Sequence, residues 1–255
     1  LFSIKSKLSI ITSVTHFFFF FSSYCLLLNF PTRFILFPFF MVSQSNFETA
    51  EKLFETGKYA QAVPLFESVL KTNPNDLKAL EYLGDIAGKQ KQWDKALGYY
   101  NKLKKVKPNE ADYHYKCGGV MGMKAKEVNK FKALGMIGDI RSSFEKAIIL
   151  EPKHIDARWA LIELNLQLPG IVGGSQAKAI QYSNELLKIS PVDGYLSRGH
   201  IEEYFDRYSA AEIQYKKAHE IGNSKVTFQK LYQLYLKKLN NPKKAQELKG
   251  QFEKN

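Results

Sequence analysis

Cysteine is scarce in this chain. Only Cys25 and Cys117 occur in 255 residues, far apart and in unlike contexts, which excludes a disulfide framework and a paired-thiolate metal site. Long apolar runs are missing too. A membrane-spanning helix needs about 20 uninterrupted apolar residues, whereas Asn29, Pro31, Arg33 and Pro38 break every such window between Phe17 and Val42. Acids are outnumbered, 25 against 37 Lys plus Arg, for a net charge of +12. At 45% hydrophobic and 24% charged content, neither a disordered nor a collagen-like chain fits, and the length suits one large or two small globular domains.

Catalytic signatures are lacking as well. His16, His114, His154, His200 and His219 are scattered with no serine or carboxylate constellation around them, and neither a Gly-x-Ser-x-Gly elbow nor a His-Glu-x-x-His helix occurs. His114 and Cys117 lie three apart, but two ligands do not make a zinc site. Gly170 to Ser175 is Gly-rich like a phosphate loop, yet it lacks the Gly-Lys-Ser/Thr ending and no strand precedes it. It reads as an inter-helix loop, with Pro169 stopping one helix and Ser175 capping the next. No catalytic residue, cofactor or metal ligand is expected.

Residues 1–45 differ in composition from the rest, holding 11 of the 19 Phe, no acid, and only Lys5, Lys7 and Arg33 as charges, so residues 46–255 carry 34 − 25 = +9. Arg33 is a basic flank, Phe34 to Val42 a short apolar core, and Ser43-Gln44-Ser45 a small-x-small cleavage site. This pattern predicts a cleaved signal peptide and an exported protein, periplasmic or secreted, with the first helix starting just after residue 45. A retained leader would be the one link to a membrane. The alternative is a cytoplasmic protein starting at Met41, with the upstream stretch untranslated.

What is abundant is internal repetition. Gly57-Lys58-Tyr59-Ala60-Gln61-Ala62 with Phe66, Val69 and Pro74 matches Lys91-Gln92-Trp93-Asp94-Lys95-Ala96 with Tyr100, Leu103 and Pro108, and the two prolines are 108 − 74 = 34 residues apart. The pattern resembles the tetratricopeptide repeat, a 34-residue pair of helices A and B with a small residue in A, an Ala early in B, an aromatic four later and a closing Pro. The small position falls on Ala50, Gly84, Gly118 and Gly199, and the helix-B Ala on Ala62, Ala96, Ala179, Ala211 and Ala245.

The register slips twice. Pro108 to Pro152 is 44 residues, which places an insertion near Lys124 to Ala133, and Pro152 to Pro191 is 39, which places another at Leu168 to Gly174. Ile140 stands where repeat three should have Ala, and Ser183 where repeat four should have an aromatic. The resemblance implies an all-α, right-handed solenoid over residues 46–255, with five repeats and a C-terminal capping pair from about Ser224. Neighbouring units stack because no helix pair can bury its apolar face alone.

The resemblance also implies a non-catalytic scaffold whose helix-A faces line a concave groove for a peptide or protein segment. The expected partner-binding positions are Phe47, Glu51, Phe54, Glu81, Asp85, Tyr115, Met123, Trp159, Glu163, His200, Glu203 and Tyr204. Family members that clamp the acidic tail of a chaperone do so with Lys, Asn and Arg, whereas the matching places here hold Phe47, Glu51, Tyr82, Asp112 and Lys116, so that partner is disfavoured. Acids at groove positions (Glu51, Glu55, Glu81, Asp85, Asp112, Asp156, Glu163, Asp193, Glu203) outnumber Lys78 and Lys89. The expected partner is therefore a neutral or basic protein.

The rival reading is single-stranded nucleic acid held by the run Lys102, Lys104, Lys105 and Lys107 beside Tyr99, Tyr100, Tyr113 and Tyr115. A solvated helix end accounts for the same lysines. An enzyme accessory subunit is the residual alternative.

Overall fold

The computed structural model describes residues 37–253, with side chains from Asn46 onward. The remaining leader residues and their cleavage signal lie outside the described side chains. Twelve α-helices follow one another without a strand among the described residues. They form six hairpins: α1 (Phe37–Glu55) with α2 (Tyr59–Thr72), α3 (Leu77–Lys89) with α4 (Trp93–Val106), and α5 (Ala111–Glu127) with α6 (Lys130–Leu150). The second half is α7 (Ile155–Gln167) with α8 (Gln176–Ile189), α9 (Pro191–Tyr204) with α10 (Tyr208–Gly222), and α11 (Lys225–Lys237) with α12 (Pro242–Phe252). Helix α1 starts at Phe37 rather than after Ser45, so the boundary drawn from composition falls inside a helix. No described helix is long and apolar enough to cross a membrane.

Each helix packs on its neighbours in sequence, and the second-neighbour packing joins α1 to α3, α5 to α7 and α7 to α9. These are all A helices, so the A helices line the inner side of an α-solenoid while the B helices lie outside. Inside each hairpin the small residue of A receives the aromatic of B. A Cβ at Gly84 would lie 2.9 Å from the ring of Tyr100, and one at Gly118 would lie 2.8 Å from Phe144. The helix-B alanines and Ile140 are all buried. Repeat four inverts the sizes: Ile162 occupies the small position, Ser183 the aromatic one, and both are buried.

Four A–B turns share one device. Gly57, Lys91, Asp206 and Asn240 have φ of 73°, 59°, 56° and 45°, and each lies five residues before its helix-B alanine (57 and 62, 91 and 96, 206 and 211, 240 and 245). A left-handed residue reverses the chain there in the fewest residues. An L side chain in that conformation costs roughly 1–2 kcal/mol, less what glycine loses in the unfolded chain. Lys91→Gly is accordingly expected to raise the melting midpoint by about 2–4 °C, despite losing an exposed 3.3 Å ion pair with Glu127 that contributes little. A lower midpoint in a thermal melt would contradict this.

Repeats three and four abandon that turn, and both insertions sit in its place. The first lengthens α5 to 17 residues and α6 to 21, beyond the 13 and 14 of α3 and α4, with Asn129 capping α6 by accepting from the Lys132 amide. The second forms a 3-10 turn at Gly170–Val172, after which Gly173 has φ 94° and Ser175 caps α8.

Candidate partner-binding face and pocket

The expected groove residues divide by what holds them. Phe47 and Phe54 are half-buried and belong to an aromatic cluster: Phe47 meets Phe66 edge-on at 5.5 Å, Phe54 meets Tyr82 at 4.8 Å, and Tyr82 stacks on Phe66 at 4.9 Å. Tyr115 packs 5.9 Å from Phe144 and 5.1 Å from His154. Trp159 is partly buried against the core of the last repeats and donates its indole N–H to Asp193 at 3.1 Å. These side chains tie adjacent repeats together. Met123 and Tyr204 are exposed.

The acids form a ladder between successive A helices. The Tyr82 hydroxyl of α3 donates to Glu51 of α1 at 2.7 Å. That bond, with burial second, pushes the Tyr82 pKa up to about 12. Lys116 of α5 reaches Glu81 at 2.6 Å and Asp85 at 3.1 Å on α3. Burial works against the Lys116 charge, but the two carboxylates outweigh it and raise its pKa. His154, the cap of α7, accepts from the Ala157 amide at Nδ1 and points Nε2 at Asp112 of α5, 3.2 Å away. His200 Nε2 of α9 lies 2.5 Å from Glu163 of α7, and this contact, against burial, holds the Glu163 carboxyl below its usual range. Within the last full repeat, Glu203 accepts from the Tyr215 hydroxyl at 2.8 Å. The acidic stripe read from the sequence is thus largely spent on joining repeats, while Glu55 and Asp156 are exposed and make no ion pair.

The features weighed as metal or nucleic-acid sites have other employment. His114 Nε2 lies 2.8 Å from the Pro108 carbonyl. Cys117 is buried, and burial pushes its thiol pKa up. Among the described residues no group of three or more His, Cys, Asp or Glu converges as a metal site. Beside the lysine run, Tyr100 and Tyr113 are buried, and Tyr99 and Tyr115 partly so, so these rings are turned to packing.

A cavity of about 760 Å³ opens where the two insertions meet. Its walls are Gly119, Met123 and Lys126 of α5, Lys130, Leu134, Ile137 and Ile140 of α6, Glu163, Leu164 and Gln167 of α7, and Ile171 and Val172 of the 3-10 turn. Met123 and Glu163 are its only residues anticipated as partner contacts. Lys126, Lys130, Ile171 and Val172 were missed because they lie in the insertions, which have no register from which to read a face; Gly119, Leu134, Ile137, Ile140, Leu164 and Gln167 lie in the repeat helices but are not among the residues assigned to the groove. The signal was the pair of slips itself, the 44- and 39-residue proline intervals.

Six stacked helical hairpins with the A helices inside define a helical-repeat solenoid. Residues 53–117 match the tetratricopeptide repeat family model, and over most of the described residues the fold is that of tetratricopeptide-repeat proteins. The solenoid is similar to TTC0263, a tetratricopeptide-repeat protein of Thermus thermophilus (19% identity, 76% of this chain and 99% of that one, TM-score 0.60). It is likewise similar to PilW, a type IV pilus biogenesis factor (18%, 84% and 93%, TM-score 0.60), and to a tetratricopeptide-repeat protein of Parabacteroides merdae ATCC 43184 (15%, 82% and 77%, TM-score 0.57). At these identities the likeness is one of fold. No curated protein matches the sequence significantly.

Proposed function

We propose that the protein is a non-catalytic scaffold that binds a peptide or protein segment, neutral or basic in its main contact, along the concave A-helix face. The observation that carries this reading is the packing of α1 on α3, α5 on α7 and α7 on α9, which sets the A helices along one inner face where Met123 and Tyr204 stay exposed. The exposed acids Glu55 and Asp156 supply the sign of the field. Export through the leader is part of the same proposal; sequencing the mature N-terminus tests it, with cleavage after Ser45 as the expected result.

Glu81, Asp85 and Glu163 are poor probes of partner charge, since replacing them leaves Lys116 or His200 without a partner. The informative set is Glu55→Lys with Asp156→Lys, set against Lys102→Glu with Lys105→Glu. On an array of basic, neutral and acidic peptides, the first set is expected to weaken binding of basic peptides severalfold and the second to leave it unchanged. A labelled single-stranded oligonucleotide provides the counter-test. Binding that the second set abolishes and that falls steeply with salt through counterion release would favour the nucleic-acid reading instead.

A further inference from the structure

We propose that the cavity between the two insertions is a second docking site, for an apolar segment of another protein that carries acidic residues beside its apolar anchor. The proposal rests on the scaffold reading and adds the partner chemistry of one place on it. Two insertions of different length and sequence, in adjacent repeats, meet at one opening. Neither is needed to close a repeat, since four other hairpins turn on a single left-handed residue.

The walls are preformed. Arg141 of α6 donates to the Gly173 carbonyl at 2.9 Å and to the Asn165 side chain at 3.3 Å, pinning the 3-10 turn to the long helix. Gly174 fits so closely that a Cβ would lie 1.7 Å from the Leu168 carbonyl oxygen. Yet apolar groups at the opening are left in water: Ile171 is 95% exposed and Leu134 46%. Apolar groups on a braced wall, uncovered by the chain's own packing, mark an interaction site.

Charge selects the occupant. Nearby, Lys124 is tied to Asp94, and Glu127 accepts from Trp93 and pairs with Lys91. Within the cavity Glu163 is in contact with His200. Lys126 and Lys130 are exposed and in no direct ion pair; Lys126 also lies near enough to Glu163 to help lower its pKa, and the two lysines leave the rim with a positive excess of one. A segment with acids beside its anchor complements them. The chain's own residues 1–45 have no acid and bring Lys5, Lys7 and Arg33, and a second copy would set the same lysines against themselves.

The test uses the full chain and three probes in fluorescence anisotropy: a labelled peptide with a Leu-Phe-Leu anchor flanked by Glu, the same anchor flanked by Lys, and laurate as competitor. The Glu-flanked peptide is expected to bind about tenfold more tightly than the Lys-flanked one at low salt. Lys126→Glu with Lys130→Glu should invert that order, and Leu134→Glu should remove binding of both peptides; all three positions are exposed, and unchanged helicity would show that the fold is kept. Equal affinity for the two peptides, indifference to Leu134→Glu, full displacement by laurate, or self-association that Leu134→Glu abolishes would each overturn the proposal. The Glu55 and Asp156 variants separate the two levels: if basic peptides still respond to them while the Glu-flanked peptide does not bind, this site falls and the scaffold reading stands.

Discussion

Gly118→Leu is expected to lower the melting midpoint by roughly 5–12 °C, while Gly173→Ala lowers it by only a few degrees. A Cβ at Gly118 would stand 2.8 Å from the Phe144 ring and 3.1 Å from the Ser143 Cβ, in the contact that joins α5 to α6. Leucine adds three further carbons that have nowhere to go. Overpacking of this kind costs about 1–3 kcal/mol and sometimes more, and each kcal/mol is worth about 2–4 °C in a protein of this size. A rigid helix pair leaves repeat three little way to relax. From sequence alone Gly173 reads as part of an inter-helix loop, but its φ of 94° puts roughly 1–2 kcal/mol of strain on any L side chain there. An added Cβ meets only the Arg141 guanidinium, at 3.5 Å, so the effect is that strain less the entropy glycine loses from the unfolded chain. Thermal melts followed by far-UV circular dichroism decide the matter, and equal midpoints for the two variants would mean that helix A of repeat three is not packed as described.

Stability is expected to hold steady up to about pH 10 and then to fall by roughly 5 kcal/mol by about pH 12. Tyr100 and Tyr215 are buried. Burial is the largest cause of their raised pKa values, with Asp85 and Glu203 pushing the same way. A raised folded-state value gives stability that is complete below the unfolded value near 10 and is lost as pH climbs through the folded one, because only the unfolded chain releases the proton. Two pH units for two such tyrosines amount to about 5 kcal/mol, a large part of the 5–15 kcal/mol that ordinarily holds a domain together. Tyr235, raised by burial and Glu212, and Lys116 act in the same direction. Urea unfolding at a series of pH values measures the fall. Tyr100→Phe loses the bond to Asp85 at neutral pH, about 1.5–3 kcal/mol, but its alkaline decline should be shallower by one proton. Stability independent of pH across that range would show that these hydroxyls are not held as described.

The repeat made the hairpins legible in advance. Helix-B alanines 34 residues apart (62 and 96, 211 and 245) and small residues facing aromatics recur because each hairpin solves the same packing problem, so Gly84 with Tyr100 predicts Gly199 with Tyr215. Local rules then sufficed for much of the rest: Ser175 caps its helix, and Pro191 opens one at its first turn, since both effects act within a few residues.

Which groove positions are free was decided by the tertiary structure. Periodicity assigns Glu81, Asp85 and Glu163 to a face but says nothing of Lys116 or His200 arriving from the next repeat, 35 and 37 residues on (116 − 81 and 200 − 163). The conformation of Lys91 was equally hidden, because lysine is no signal for a left-handed turn; the reversal between two packed helices imposes it. Least legible was the cavity. The sequence by itself determined that fifteen residues exceed the repeat between Ala96 and Ala179 (83 against 68). Only the packing of α5, α6 and α7 determined that they lengthen helices and fold a 3-10 turn around an open apolar space, because that outcome depends on contacts between segments some forty residues apart.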